Sequence, residues 1–571
     1  MVQKKAISIS RTQVWLALAG LAVITLALIF QSQLQPSGSP WTWRWQDMSA
    51  RPFSLSTPAG GALSVVPATE AQYTVELLAS AGSLGLGIEP VQPGRPWLLP
   101  TGACDSLGAA LSTSMSSEDN PAGLIATPCK GLAKLGFEPP SIYTQAGAAT
   151  EPVGDTDLVL PLPAHGAEWN KLPPGWSSIA RRAGGGTVVA RSAEGIAVAS
   201  FELVPFLRLL RQGDQAWANR DRDGLHGPKP NDLIPFPWDE AIYVLPGADL
   251  WVELLWSLAG QVPRLWPLPS AAKSAVILTF DQDFALAEWL DPLLARVELA
   301  GGEATLLTTA GTRQSASAPL QEAGGELPSA AVMKNWAEWG HGIGLHPNVV
   351  GLSRASEREE AIGLFAARHP SARVLRNHFC SWWGYETMFE IQAALNIWMD
   401  LNYLSIEPRF GPVGFLNQAA RPTRFQAPDG RFLPVLLQAT QAADDVLYGK
   451  YPYSNGLSLA EAIDATGQAL DRAVAVRVPL TFNLHPMIQT NEGAVFLDGL
   501  LAAAAQREVP VISAERWAVH SWARLARSYG QPALNQEPPL LRWTTGTDCS
   551  NKTQLSPFAG EGCLTPLSEP P

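Results

Sequence analysis

Residues 275–283 have the sequence AVILTFDQD, in which an almost continuous apolar run is followed at once by two aspartates. A short apolar run of this kind predicts a strand that is buried on both faces. Predicted helices and further short strands then alternate through the second half of the chain, beginning with a helix over 285–297 and a strand over 303–308. This alternation predicts a parallel sheet covered by helices.

The alternation continues as about seven strand–helix repeats over residues 266–530. That length and repeat number predict a deformed (β/α)7-type barrel rather than an open sheet. Residues 404–450 interrupt the rhythm, and we interpret them as an inserted hairpin or a lid. Residues 531–571 form a Pro- and Thr-rich tail.

The first half of the chain predicts a second α/β unit. Over residues 61–265, short apolar runs alternate with turn-rich stretches, with strands predicted at 158–160 and 186–190 and helices at 201–211 and 250–258. Neither the P-loop pattern nor the G-x-S-x-G nucleophile pattern occurs there. We therefore interpret 61–265 as an accessory domain without its own catalytic site. The fold class of the whole chain is α/β.

The amino terminus predicts a membrane anchor. Basic residues precede an uncharged run from Val14 to Phe30, whose seventeen residues would make a helix about 26 Å long. We predict a cytoplasmic tip and transmembrane signal anchor in residues 1–35 and a linker in 36–60. The positive flank orients the rest of the chain to the periplasmic or extracellular side. A cleaved signal peptide is the alternative, and either segment would export the bulk of the protein.

Composition excludes several classes of protein. Apolar residues make up 46% of the chain and charged residues 16%, which is typical of globular proteins. The net charge is −12 and no basic stripe occurs, so nucleic acid is not an expected partner. Of the five cysteines, Cys104 with Cys129 and Cys549 with Cys563 are predicted to pair in an oxidising compartment, which leaves Cys380 as the odd thiol.

Acidic and imidazole side chains follow the apolar segments of the second half. The residues in these positions are Asp281, His346, His378, Asp400 and His485. The carboxyl ends of barrel strands form active sites, so we expect these side chains to converge. Two histidines and one carboxylate are a common ligand set for catalytic zinc, and a separate acid and histidine can transfer protons. The pattern predicts a hydrolase that uses one divalent metal ion, with zinc as the expected metal.

Several of these segments resemble the motifs of the polysaccharide deacetylase superfamily, which includes chitin and peptidoglycan deacetylases. Residues 279–283 (TFDQD) resemble its first motif, 340–346 (GHGIGLH) the second, 376–378 (RNH) the arginine motif and 484–486 (LHP) the last. The resemblance covers less than half of the chain. It implies a metal-dependent barrel that removes acetyl groups from an N- or O-acetylated polysaccharide.

The resemblance also implies a role for each motif residue: Asp281 as the catalytic base, Asp283 and His346 as metal ligands, Arg376 as the partner that orients the base, and His485 as the general acid, tuned by Asp400. Asp281 and Asp283 are two residues apart, so in an extended segment both would face the same side.

One position departs from the family pattern. The family's usual second histidine ligand lies four residues after the first, and that position is Val350 here. We predict His378 as the third ligand. Asn348 is the weaker alternative because a neutral amide oxygen suits zinc less well than imidazole does. His341 lies on the other side of an extended strand from His346, and we predict a structural role for it.

Two further residues are candidates for contact with a sugar. Trp383 could stack on a saccharide, with core packing as the alternative. Asp445 follows another apolar segment, and its alternatives are substrate contact and plain solvation.

Two other functions remain open from the sequence. Val350 at a ligand position favours a catalytically inactive glycan-binding or scaffold protein. Alternatively, Asp281 and Asp400 could be the paired carboxylates, about 5–9 Å apart, of a metal-independent glycoside hydrolase.

Overall fold

A computed structural model describes residues 123–528 except for 147, 154–157, 223, 225–226, 235–239, 259–263, 284, 310–328 and 408, together with 63–65, 71–80, 86–88, 97–99, 110, 541–545 and 562–566. The described residues all belong to one compact unit. Within them, no helix is both long enough and apolar enough to cross a bilayer. The predicted anchor and linker, residues 1–60, lie outside the described residues.

The first half contains a seven-stranded mixed sheet. Its strands are β1 (Leu63–Val65), β2 (Leu86–Ile88), β3 (Trp97–Leu99), β4 (Gly123–Ile125), β7 (Trp176–Arg181), β8 (Thr187–Ser192) and β9 (Ile196–Ala199). They lie in the order β2-β1-β3-β4-β9-β8-β7, parallel from β2 to β9 and antiparallel from β9 to β7. Between β4 and β7 in the chain, β5 (Ser141–Thr144) and β6 (His165–Glu168) form an antiparallel pair.

Four helices accompany this sheet: α1 (Ala71–Ser80), α2 (Leu203–Gln212), α3 (Glu240–Tyr243) and α4 (Gly247–Leu258). The strand predicted at 186–190 and the helices predicted at 201–211 and 250–258 are confirmed as β8, α2 and α4. The strand predicted at 158–160 is wrong. Pro161 and Pro163 follow it directly, and a proline has no N–H to donate to a ladder.

The second half contains the predicted parallel sheet. Its strands are β11 (Ala275–Asp281), β12 (Thr305–Thr308), β13 (Gly342–Leu345), β14 (Val374–Leu375), β15 (Met399–Asp400), β16 (Thr423–Gln426), β17 (Phe432–Leu437), β18 (Ala442–Ala443), β19 (Pro479–Leu484) and β20 (Val511–Ile512). Their order is β16-β17-β15-β14-β13-β12-β11-β19-β18, and only the β16–β17 pair is antiparallel. All seven residues of β11 are buried, as the apolar run predicts.

The sheet is a half-barrel with an irregularity at β11. β20 pairs with the first part of β11, where Val276 lies opposite Val511, and β12 pairs with the last part, where Thr279 lies opposite Thr305. β20 and β12 thus pair with the same edge of β11, β20 toward its amino end and β12 toward its carboxyl end. The α/β class is confirmed. A separate small antiparallel sheet consists of β10 (Arg264–Leu265), β21 (Leu541–Thr545) and β22 (Gly562–Pro566).

Nine helices of the second half are described: α5 (Ala287–Leu299), α6 (Ala330–Glu338), α7 (Ala355–Ala366), α8 (Thr387–Ala394), α9 (Asp444–Leu447), α10 (Leu459–Val476), α11 (Pro486–Asn491), α12 (Val495–Gln506) and α13 (Ala514–Ser528). The sequence did not predict α10, although a capping box begins it. Ser458 Oγ accepts from the Glu461 amide, and the Glu461 carboxylate accepts from the Ser458 amide at 2.8 Å.

Residues 404–450 do contain the predicted hairpin, formed by β16 and β17. β17 also pairs in parallel with β15, with Met399 opposite Leu436. The hairpin therefore extends the sheet.

Buried ion pairs join the two halves of the chain. Glu76 of α1 accepts two hydrogen bonds from Arg424 of β16, at 2.7 and 2.9 Å. Glu253 of α4 accepts from Arg264 at 2.7 Å and also from Arg421. Removal of one partner from such a pair leaves an uncompensated buried charge, so these contacts fix how the halves pack.

Candidate active site

The predicted site residues follow strands whose carboxyl ends meet at one edge of the sheet. Asp281 ends β11, and His346 follows β13. Arg376 follows β14, and His485 follows β19. Because these strands are parallel neighbours, their carboxyl ends bring the four side chains together.

Asp283 reaches the site by a turn instead of along an extended strand. Its φ is +47°, in the left-handed region, which aspartate tolerates better than most residues. The expectation that Asp281 and Asp283 lie on one face of an extended segment is therefore wrong, because the chain is not extended at Asp283. Both carboxylates still line one cavity.

Asp283, His346 and His378 form a compact group of metal-ligand atoms. Oδ1 of Asp283 lies 3.2 Å from Nε2 of His346 and 3.3 Å from Nε2 of His378. The three ligand atoms all lie within 4.8 Å of one another. Donors about 2.0–2.1 Å from a tetrahedral zinc ion are about 3.4 Å apart, so the spacing fits zinc well.

The hydrogen bonds of His346 favour the same interpretation. Its Nδ1 lies 2.8 Å from the carbonyl oxygen of Arg376, which can only accept, so Nδ1 carries the proton. Nε2 of the neutral ring then presents a lone pair toward Asp283, and a cation between the two groups would satisfy both. Histidine ligands of metals are commonly held in this way by a backbone carbonyl.

His378 lies in a short 3-10 turn, His378–Cys380, in which Phe379 and Cys380 have φ values of +55° and +52°. Burial and then the neighbouring His346 ring lower the pKa of His378 to about 4. The ring is therefore neutral near pH 7, which is the form that binds metal.

Asp281 is held by two side chains, one on each carboxylate oxygen. Arg376 Nη1 donates to Oδ1 at 2.8 Å, and Asn483 Nδ2 donates to Oδ2 at 2.8 Å. The guanidinium is itself fixed, because it also donates to Thr279 Oγ1 at 3.0 Å and to Thr440 Oγ1 at 2.9 Å. The predicted pairing of Arg376 with Asp281 is present in the structure.

The partner of His485 is Asp444 instead of the expected Asp400. Nδ1 of His485 lies 2.6 Å from Oδ1 of Asp444, whose Oδ2 accepts from the His485 amide at 2.8 Å and from Gln489 Nε2 at 2.7 Å. Burial lowers the pKa of His485, but Asp444 and Asp445 raise it more, so the net pKa is well above its usual value. His485 Nε2 faces Asp283 Oδ2 at 3.8 Å.

Asp444, Asp445 and His485 also lie within 4.8 Å of one another. The 2.6 Å between Asp444 and His485 is a hydrogen-bond distance and is too short for two donors on one zinc ion. We therefore interpret this second group as a proton-transfer pair with Asp445 beside it. Asp445 accepts from Tyr453 Oη at 3.1 Å, and burial raises its pKa.

Asp400 does not reach the site. It is fully buried, and its carboxylate accepts from Gln392 Nε2 and Asn402 Nδ2, both at 2.6 Å. Burial, partly offset by these bonds, raises its pKa to about 6. Asp400 does not line the cavity that contains Asp281, so Asp281 and Asp400 are not the carboxylate pair of a glycoside hydrolase.

Trp383 is also placed elsewhere. It packs against the hydrophobic core around α8, with the Arg358 guanidinium 5.7 Å from its ring centre, and it does not line the cavity. The predicted stacking on a sugar is thus wrong, and the alternative of core packing holds. His341 is structural as predicted, since its Nδ1 accepts from the Ala304 amide at 2.9 Å. Asn348 Oδ1 accepts from the Val350 amide at 3.2 Å, so it serves a local turn.

The metal-ligand group, Asp281 and His485 line one cavity of about 1220 Å³. Asp281, Asp283, His346, His378, Asp445, Asn483 and His485 line it, along with the aromatic rings of Phe379, Phe410, Tyr451 and Tyr453. The rings of Tyr451 and Tyr453 are parallel, with centroids 5.3 Å apart. Sequence reasoning missed Asn483 and the role of Asp444. Asn483 has a signal in the pattern, because it lies two residues before His485 and shares its side of β19.

No family model and no curated protein matches the chain. Among solved structures, it is similar to a protein assigned as a polysaccharide deacetylase from Mycobacterium smegmatis, with 16% identity, a TM-score of 0.32, and coverage of 48% of this chain and 96% of that one. A family 4 carbohydrate esterase from Streptomyces lividans, in complex with acetate, has 11% identity, a TM-score of 0.26, and coverage of 42% and 93%. A protein from Bordetella bronchiseptica assigned as a polysaccharide deacetylase involved in O-antigen biosynthesis has 16% identity, a TM-score of 0.24, and coverage of 46% and 93%.

Proposed function

We propose that the second half of the chain is a metal-dependent hydrolase that removes acetyl groups from a polysaccharide of the cell envelope or the extracellular space. One observation carries the proposal. A three-donor group with the spacing of a zinc site, an arginine-held aspartate and an aspartate-held histidine all line one cavity. Together they are the parts of a metal-dependent amide or ester hydrolase: a place for the metal, a base and an acid.

Asp283, His346 and His378 would hold the metal, and their carboxylate and imidazole donors suit zinc. When bound, a divalent ion polarises a carbonyl oxygen and lowers the pKa of water. His346 is aligned for this role by its bond to the Arg376 carbonyl. The position of Val350 therefore does not leave the donor set incomplete, because His378 supplies the third ligand atom.

Asp281 is the base in this proposal. Its two hydrogen bonds, from Arg376 and Asn483, fix the plane of the carboxylate and leave lone pairs that can accept a proton from water. Because Asp281 is almost completely buried, a substrate that closes the cavity would exclude competing solvent from it.

His485 is the acid. Asp444 holds Nδ1, so Nε2 is the atom that faces the cavity and would donate a proton to the leaving amine or alcohol. The pKa of His485, well above its usual value, keeps the ring protonated near pH 7. The sites of proton uptake and proton release are thus two different residues.

We also propose that the protein is exported and anchored to the membrane through residues 1–35. The apolar run between Val14 and Phe30 supports an anchor. Cys129 is disulfide-bonded, which supports an oxidising compartment, and its predicted partner Cys104 lies outside the described residues. Among the described residues, Cys380 is a free thiol.

The test is acetate release by purified full-length protein in detergent, supplied with zinc, from panels of N-acetylated and O-acetylated glycans. Asp281→Asn should lower the rate of release about 100-fold or more. Asp498→Asn is the matched control, since Asp498 is half-exposed, pairs with Arg296 and does not line the cavity.

Bound zinc with acetate release from one panel supports the proposal and separates N- from O-deacetylation. Bound zinc without release from any acetylated glycan would favour the inactive glycan-binding protein. Absence of bound metal after incubation with zinc would overturn the metal-dependent mechanism.

A further inference from the structure

One wall of the active-site cavity comes from the first half of the chain. Arg222, Lys229, Asn231, Asp232 and Ile234 line the same cavity as the metal-ligand group and His485. We call these five residues the accessory wall. The first half therefore contributes directly to the space in which a substrate would bind.

Backbone contacts attach this wall to the chain that follows the ligand His378. The amide of Trp382 donates to the Pro228 carbonyl at 2.9 Å, and the amide of Gly384 donates to Asn219 Oδ1 at 2.7 Å. These two bonds join the chain on both sides of Arg222 to the segment that follows the His378 turn.

Asp232 organises the wall from within. Its Oδ1 accepts from the Arg222 amide at 3.0 Å, and its Oδ2 accepts from the Lys229 amide at 2.8 Å. Both carboxylate oxygens thus serve backbone amides, and Asp232 is buried. The carboxylate stabilises the loop and offsets one of the two cationic side chains of the wall.

Arg222 is the cation best placed to meet a ligand. It is exposed at the cavity, its guanidinium lies 5.2 Å from the centre of the Trp217 ring, and Nη1 donates to the Ile234 carbonyl. A guanidinium has five N–H donors in a rigid fork, so these contacts orient the group and leave donors for an oxyanion. Lys229 adds a second positive charge to the wall.

Arg409 is the third arginine or lysine that lines the cavity, and a neighbouring carboxylate pairs with it. Arg409 is held by Glu407 of its own loop through bonds of 2.7 and 2.8 Å, so that pair is neutral as a unit. Apart from His485, which is paired with Asp444, the positive charge on the cavity lining therefore lies on the accessory wall, and Asp281, Asp283 and Asp445 line other parts of the cavity.

We propose that the accessory wall makes the enzyme selective for acetylated glycans that carry an anionic group close to the acetylated sugar, with Arg222 as the residue that binds the anion. This inference rests on the proposed deacetylase function and assigns a role to the first half. The anionic group is a carboxylate or a phosphate. Both present oxygens that match the guanidinium fork.

The experiment uses three acetylated oligosaccharides of matched length: one neutral, one with a uronic acid beside the acetylated residue, and one with a phosphate there. Full-length zinc-loaded wild type, Arg222→Gln and Arg220→Gln are compared by kcat/KM for acetate release and by binding affinity. Arg220 is the matched control because its guanidinium also lies over Trp217, at 4.6 Å, but it does not line the cavity.

We expect wild type to prefer one anionic substrate over the neutral one by about tenfold or more, through a lower KM, with a preference that weakens as salt is raised. Arg222→Gln should remove most of this preference, and Arg220→Gln should keep it. The preferred anion identifies the substituent.

Equal kcat/KM and equal affinity for all three oligosaccharides in wild type would overturn the inference while leaving the deacetylase function intact. If no acetate is released but an anionic oligosaccharide binds selectively and through Arg222, the wall is supported and the proposed function fails. A preference that survives in Arg222→Gln would also overturn the role of this residue.

Discussion

Nε2 of His378 lies 3.3 Å from Oδ1 of Asp283, close to the 3.2 Å that separates the same oxygen from Nε2 of His346. Two imidazoles from neighbouring strand ends thus converge on one carboxylate oxygen. Because position 350, four residues after His346, is a valine, we propose that the third metal ligand is His378, in the turn that follows β14.

Replacement of His378 by glutamine should therefore abolish stoichiometric zinc binding. Loss of a residue that merely supports a ligand weakens metal binding about 10–100-fold, so loss of a ligand should cost at least the upper end of that range. Zinc content after dialysis, measured by elemental analysis, checks this. His165→Gln is the control, since His165 is exposed and contacts Thr144. Full zinc occupancy in His378→Gln would show that His378 is not a ligand.

The two aspartates of the first motif should fail in different ways. Asp281→Asn should lower kcat about 10²–10⁴-fold, the range for loss of a general base, and should retain zinc. Asp283→Asn should lose zinc and activity together, because a neutral amide oxygen is a poor zinc ligand. Zinc content and acetate release are measured on the same preparations. Loss of zinc from Asp281→Asn with retention in Asp283→Asn would reverse the two assignments.

Asp444→Asn should lower kcat about 100-fold and leave both zinc content and KM nearly unchanged. Asp444 accepts from His485 Nδ1, the His485 amide and Gln489, and an asparagine has only one acceptor oxygen for these three donors. The ring of His485 would then lose its orientation and its stabilising negative charge. Asp471→Asn, at a half-exposed pair with Arg507, is the control. A kcat equal to that of wild type would remove Asp444 from the mechanism.

The sequence predicted the parallel sheet and the convergence of Asp281, Asp283, His346, His378 and His485 on one cavity, because both depend on local order. An apolar strand followed by Asp or His marks a carboxyl end, and parallel pairing brings such ends together. His378 could be selected because Val350 cannot bind metal.

The partner of His485 was assigned wrongly because tertiary packing, and not local sequence, determines which aspartate lies beside it. Asp400 and Asp444 both follow apolar residues, but only the backbone path through the two-residue strand β18 brings Asp444 beside His485. Asp400 instead lies within bonding distance of Gln392 on α8. Nor could the sequence predict that residues around Arg222, in the first half, line the cavity, because that placement depends on contacts such as the bond between Asn219 and Gly384, which are 165 residues apart.

Glu515 gives a prediction about stability that is independent of the active site. It begins α13 inside the core, accepts a hydrogen bond from Thr305 Oγ1, and lies so close to Gly342 that a Cβ there would overlap its carboxylate. Burial, partly offset by that hydrogen bond, raises the pKa of Glu515 from 4.5 to about 7. The folded state therefore binds this proton more tightly than the unfolded state does.

The contribution of Glu515 to stability is therefore fully present below about pH 4.5 and is lost as the pH rises to about 7. The loss amounts to about 3 kcal/mol at most. Glu515→Gln keeps an acceptor for Thr305 and carries no charge, so it should gain stability relative to wild type over this interval and keep the gain above pH 7. Denaturant titrations from pH 4.5 to 8, on both proteins, measure the difference in free energy of unfolding. For Glu359→Gln, a change at an exposed residue, the free energy of unfolding should vary with pH as it does in wild type. The same pH dependence in Glu515→Gln and wild type would contradict the prediction.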